Sequence, residues 1–143
     1  MASVSEELIV GHELVTPCPR CGALLRGQLS EAVDGDRLFS SVSWVCDRCS
    51  DRLISCDGGT LPADYRQLLL DRDGIGRLRV DPASARPRRL AILRVLRRYG
   101  ATLPEASDTY ARLTGPGVSG TRAEVLLLAN RLSTTGVQTQ MDS

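Results

Sequence analysis

Four cysteines fall into two pairs of identical spacing, Cys18-Pro19-Arg20-Cys21 and Cys46-Asp47-Arg48-Cys49, separated by residues 22–45. Two thiolates three positions apart on a tight turn can face one tetrahedral cation, and a second such turn completes its shell. Pro19 fixes φ inside the first turn, and Gly22 permits a positive φ at its end. The segment from Met1 to Val10 carries Glu6 and Glu7 and no basic residue, so it does not read as an export signal. Reduced thiols, and metal rather than disulfides, are therefore expected. The set Cys18, Cys21, Cys46 and Cys49 predicts one structural zinc ion. A redox dithiol normally occurs once, at a strand-to-helix junction, and fits the doubled pattern less well.

Four thiolates leave the metal no open position, so catalysis at this ion is not expected. Nothing else in the chain supplies an obvious reaction centre. There is no glycine-rich phosphate loop, and the single histidine, His12, reads as a surface residue without a partner acid. Asp57-Gly58-Gly59 and Asp73-Gly74-Ile75-Gly76 read as turns. The fifth cysteine, Cys56, reads as a small buried apolar residue, with a reactive thiol or an alternative metal ligand as the other readings. Arg20 and Arg48, inside the knuckles, offset the charge of a four-thiolate site; phosphate contact is the other reading. Trp44 is expected to pack over the metal.

A second constellation lies downstream. Residues 86–98 hold six arginines (86, 88, 89, 94, 97 and 98) and no acid. At about 100° per residue, Ile92, Val95, Leu96 and Tyr99 share a core face. Leu90, Leu93, Arg94 and Arg97 share another. Either a further element covers both leucines, or the face is a docking patch. In a docking patch, apolar contact gives affinity and guanidinium groups steer an acidic protein partner. Nucleic acid, including ribosomal RNA bound through the knuckles, is the alternative. It would normally show a broader basic surface with exposed aromatics.

These residues must be held by ordinary elements. Aromatics make up only 3% of the chain, so its core rests on aliphatic residues. An N-terminal half of this kind gains from a metal staple. Residues 1–75 carry 12 acids and 7 arginines; residues 76–143 carry 5 acids and 11 arginines. That shift, with the glycine turn near 74–76, marks two units. Residues 14–56 alternate short apolar runs with turn residues and predict an antiparallel β-unit, with a turn over Ala32–Asp36. Thr60 and Pro62 open a short helix to about residue 70.

In residues 76–143, Leu78-Arg79-Val80 reads as a strand and 87–99 as a helix stopped at Gly100. Thr102-Leu103-Pro104-Glu105 and Thr121-Arg122-Ala123-Glu124 are capping boxes opening two more helices. A brief strand is expected within 113–118 and a last one over Val137–Met141. The fold class is α+β: an antiparallel β zinc ribbon followed by a small βααβαβ sandwich. No apolar run approaches the roughly 20 residues of a membrane span, and a cytoplasmic protein is expected.

The segments Arg89–Arg97, Leu103-Pro104-Glu105-Ala106, Gly117–Glu124 and Ala129–Val137 follow one another in an order that resembles a known family. Leu78 to Met141 is similar to the C-terminal domain of the bacterial ribosomal stalk protein of the large subunit, and the N-terminal half resembles a four-cysteine zinc ribbon. The stalk resemblance implies a surface for translational GTPases on the first helix, carried here by Leu90, Leu93, Arg94 and Arg97. The chain departs from that pattern. Gly100-Ala101-Thr102-Leu103-Pro104 is shorter and lacks a second glycine, and Ser107 stands where the family has lysine. The family's dimerisation segment is replaced by the cysteine unit, so an ordinary stalk subunit is not expected.

Overall fold

Period-two alternation from Glu7 to Asp57 produces four strands, β1 (Glu7–Pro17), β2 (Leu24–Asp34), β3 (Arg37–Cys46) and β4 (Arg52–Asp57). They form one antiparallel sheet in the order β1-β2-β3-β4. The computed structural model describes residues 7–49, 52–57 and 63–142, with only the backbone of 7–10 and 52–57. The expected Thr60 cap, Pro62, the glycines of the 57–59 turn and the Cys56 side chain lie outside the described residues.

Strand β2 buries every second residue, including Gly27, Leu29, Glu31 and Val33. Its turn is tighter than the sequence suggests. Asp34 pairs with Arg37 across Gly35 and Asp36 alone, and Gly35 takes φ 62°, the left-handed backbone a two-residue hairpin needs. Ala32 and Val33 remain in the strand because Val33 is in phase with Leu29 and is buried beneath a helix from the other half.

Helix α1 (Ala63–Asp73) crosses the inner face of this sheet. Leu69 packs with Leu14, Leu29 and Val42, flanked by Trp44, Tyr65 and Leu68. Trp44, expected to pack over the metal, also joins this cluster. It lies across Gly27, its partner on β2, where a Cβ would come within 2.5 Å of the indole ring.

The second half is built from β5 (Gly76–Val80), α2 (Pro82–Ala85), α3 (Arg89–Arg98), α4 (Leu103–Leu113), β6 (Val118–Gly120), α5 (Arg122–Leu132) and β7 (Thr139–Asp142). Its sheet is antiparallel, in the order β6-β5-β7. Leu78 and Val80 point inward from the central strand toward Ile92, Val95, Leu96, Ala106, Leu113, Val125, Ala129 and Leu132. The molecule is thus an α+β fold of two small antiparallel sheets with helices. Both capping boxes form: Thr102 with Glu105, and Thr121 with Glu124. Gly100 takes φ 105° behind α3. Helical backbone starts earlier than expected, because Asp81 caps α2 by accepting the Ser84 N–H, and a 3₁₀ turn at 86–88 leads into α3.

Helix α5 belongs to both halves. Seven of its eleven residues are buried. Val125, Ala129 and Leu132 face the second sheet, whereas Ala123, Leu126 and Leu127 pack on Val33 and Leu38 of the first. A helix apolar all round is one covered on all sides. The β2–β3 turn is tied to the same helix. Asn130 Nδ2 donates to the Gly35 carbonyl at 2.8 Å, and an Arg131 guanidinium N–H donates to the Asp36 carbonyl at 3.3 Å. Tyr99 is displaced from its expected core position. It is 39% exposed, because it ends α3 beside this turn. There its hydroxyl donates to Asp36 Oδ2 at 2.8 Å and the Arg131 guanidinium stacks 3.9 Å from its ring centre. That hydroxyl is the chief cause holding the Asp36 carboxyl below its ordinary value.

Candidate metal centre and the arginine helix

Strand order brings the two cysteine pairs together. The first pair occupies the β1–β2 connection and the second follows β3, so both sit at one end of the antiparallel sheet. Leu25, just after the first turn, pairs directly with Cys46. In the first knuckle the Gly22 N–H donates to the Cys18 carbonyl at 2.8 Å and the Cys18 N–H to the Ala23 carbonyl at 2.7 Å. Gly22 takes φ 76°, the left-handed backbone a residue with a Cβ disfavours. In the second knuckle the Cys49 N–H points at Cys46 Sγ, 3.4 Å away.

The sulfurs of Cys18, Cys21, Cys46 and Cys49 all lie within 4.8 Å of one another, and Cys21 Sγ stands 3.5 Å from Cys46 Sγ. Thiolates about 2.3 Å from a tetrahedral zinc ion are about 3.8 Å apart, so the four sulfurs are spaced closely enough that they could hold a metal ion. None of the four is in a disulfide. Cys18 and Cys46 are buried, the other two half-buried.

The four thiols perturb one another electrostatically. The Cys46 thiol is drawn down to about 7, chiefly by the Cys49 backbone N–H, with the Arg48 N–H adding to it. Cys49 is pushed up to about 12, first by the Cys21 sulfur and then by burial. Sulfurs this close cannot all ionise unless a positive charge lies between them. Arg26 and Asp47 form an ion pair of 3.5 Å beside the second knuckle, both more than half exposed, and Arg48 is exposed.

The arginine helix divides differently from its helical wheel. Leu90 is 71% exposed, but Leu93 is 9% exposed and belongs to the core. Neither expected alternative holds for both leucines: Leu93 is covered and is not a surface contact residue, whereas Leu90 is open. The reason is α4, which packs along α3 and widens its buried face. Leu90, Arg94 and Arg97 remain at the surface. Arg88 donates to the Ser84 carbonyl, and Arg89 lies 5.6 Å from the Tyr110 ring centre. Among the described residues no carboxylate is within ion-pair distance of Arg86, Arg94, Arg97 or Arg98.

Two polar features escaped the sequence reading. His12 has an acid partner after all: its Nε2 lies 2.9 Å from Asp73 Oδ2, and both are about four-fifths buried. The pairing depends on α1 carrying Asp73 back over β1, which no local pattern announces. Glu31 is buried to 1% exposure at the junction of the halves. Its signal was available, since it shares the parity of Leu29 and Val33.

No protein-family model matches the chain, and neither a curated protein nor a solved structure does.

Proposed function

We propose that this is a non-enzymatic protein-interaction module. One structural zinc ion on Cys18, Cys21, Cys46 and Cys49 sets the open end of the N-terminal sheet, and the second unit, residues 76–143, presents α3 to an acidic protein partner. The convergence of four sulfurs within 4.8 Å carries the reading. When bound, the ion supplies charge neutralisation and cross-linking of the two knuckles. The chain supplies the four thiolates, the N–H group aimed at Cys46 and a closed donor shell.

The partner surface we propose is Leu90 with Arg94 and Arg97, Arg86 and Arg98 lying on the same helical stretch. Leu93 lies beneath it and shapes the face from within. An exposed leucine among arginines that have no ion-paired acid among the described residues favours a partner offering an apolar contact ringed by carboxylates. The stalk resemblance implies a translational GTPase or another ribosome-associated factor in a bacterial cytoplasm. That no helix among the described residues is long and apolar enough to cross a membrane is compatible with this setting.

The test is affinity capture with the wild-type chain and with the Arg94→Glu/Arg97→Glu variant, zinc content and circular dichroism being matched. Loss of the translational GTPases from the variant's captured set supports the surface. An unchanged set rejects it. RNA titrated against salt reports the other reading: a steep slope that disappears on substituting Arg20 and Arg48 would assign the knuckles to nucleic acid.

A further inference from the structure

The junction between the N-terminal sheet and α5 is polar at its centre. Glu31 enters it from β2, 1% exposed. Its Oε1 accepts the Thr121 hydroxyl at 2.7 Å, and its Oε2 has no hydrogen-bond partner among the described residues. Thr121 is also the cap of α5, its Oγ1 accepting the Glu124 N–H at 3.1 Å. One hydroxyl thus serves two tasks: it starts the helix and fastens that helix to the sheet.

The charged groups around Glu31 come from three elements. Helix α5 contributes Glu124, α1 contributes Arg66 and Asp73, and β1 contributes His12 through its pairing with Asp73. Strand β3 places Ser40, also buried, directly opposite. Arg66 is committed to Glu124 by two bonds of 2.7 and 2.8 Å, so it is not free to neutralise a second carboxylate fully. With Glu31 neutral, two acids face Arg66 and His12. With Glu31 ionised, three acids do, and one of their oxygens is buried with no hydrogen-bond partner among the described residues.

We propose that Glu31 is a pH-responsive latch between the two halves, closing the sheet onto the cap of α5 when protonated and loosening that contact when ionised. Burial is the largest influence on this carboxyl and raises it above its ordinary value of 4.5; the Thr121 bond pulls the other way, while Glu124 and Asp73 add to the rise and Arg66 opposes it. A carboxyl raised on folding binds more protons in the folded state than in the unfolded one. Stability is therefore greatest below about 4.5 and falls as pH rises through the folded value, then levels off. Each unit of separation between the two values is a tenfold change in the folding equilibrium.

The experiment compares melting temperature against pH for the wild-type chain and Glu31→Gln, which mimics the protonated acid and keeps an acceptor for Thr121. Zinc content is read at each pH, because acid release of the metal acts on both proteins alike and cancels in their difference. The wild type is expected to lose stability relative to the variant from pH 4.5 upward, with a plateau. Hydrogen exchange in the first turn of α5 should follow the same curve in the wild type only. A difference that is flat with pH, or that runs in the opposite direction, overturns the latch. Should Glu31→Gln fail to fold, the side-chain carboxyl resonance of Glu31 in the wild type decides the matter: a midpoint above 4.5 supports the proposal, and one at or below 4.5 refutes it.

Discussion

At the scale of single residues, three side chains show how position overrides type. Gly27 is a strand glycine whose missing Cβ is occupied by the ring of Trp44. A glycine facing an aromatic on the next strand lets a large ring lie on the sheet. Gly27→Ala is therefore expected to cost about 1–3 kcal/mol, the usual penalty for overpacking. Chemical denaturation with the Trp44 fluorescence as probe measures it, and an unchanged midpoint would contradict the packing. Leu93 and Tyr99 illustrate the reverse case. Helical angle alone puts Leu93 off the core face and Tyr99 on it, because a helical wheel carries no information about neighbours. Helix α4 covers Leu93, and the β2–β3 turn offers Tyr99 a hydrogen bond outside the core. The cysteine pairs are recognisable without such context, although strand order is what brings them together. Their chemistry depends on spacing within two short turns, which the sequence states directly.

At the scale of elements, caps and turns closed by local bonds were legible, and the partners an element meets across the chain mostly were not. The boxes at Thr102 and Thr121 and the stop at Gly100 each rest on interactions within a few residues, and each is where the pattern puts it. The strand at Leu78 is also where its pattern puts it, although its hydrogen bonds run to the distant β6 and β7. Strand β1 runs from Glu7, ahead of the β-unit expected from residue 14, because pairing with β2 carries it. The metal centre lies at this scale too, since it joins the β1–β2 and β3–β4 connections. Cys46→Ala would leave three ligands and an open coordination position. Zinc affinity should fall by more than about a hundredfold, the loss already seen when a metal site keeps its ligands but loses an outer partner. Competition against a chromogenic chelator reads that number. Equal affinities would mean that Cys46 is no ligand.

At the scale of the molecule, the charge shift near residue 75 suggested two units, and the chain does form two sheets, but α5 is shared between them. Fragment 1–75, even loaded with zinc, should expose Val33, Leu38 and Glu31 to water. It should bind a hydrophobic dye that the whole chain ignores and melt at a lower temperature. A fragment silent to the dye and as stable as the parent would show that the contact with α5 is dispensable. The sequence could not announce this sharing. Leu126 and Leu127 look like any apolar pair in an amphipathic helix, and only a second sheet on the far side explains why so little of α5 is polar.

Translation runs from β1 toward α5, so the sheet emerges well before the helix that covers it. Between the end of β4 at Asp57 and the end of α5 at Leu132 the ribosome needs roughly 4–15 s at ordinary elongation speeds. For that interval Val33 and Leu38 wait uncovered. A cation captured by the four thiols soon after Cys49 leaves the exit tunnel would tie the hairpins together through that wait.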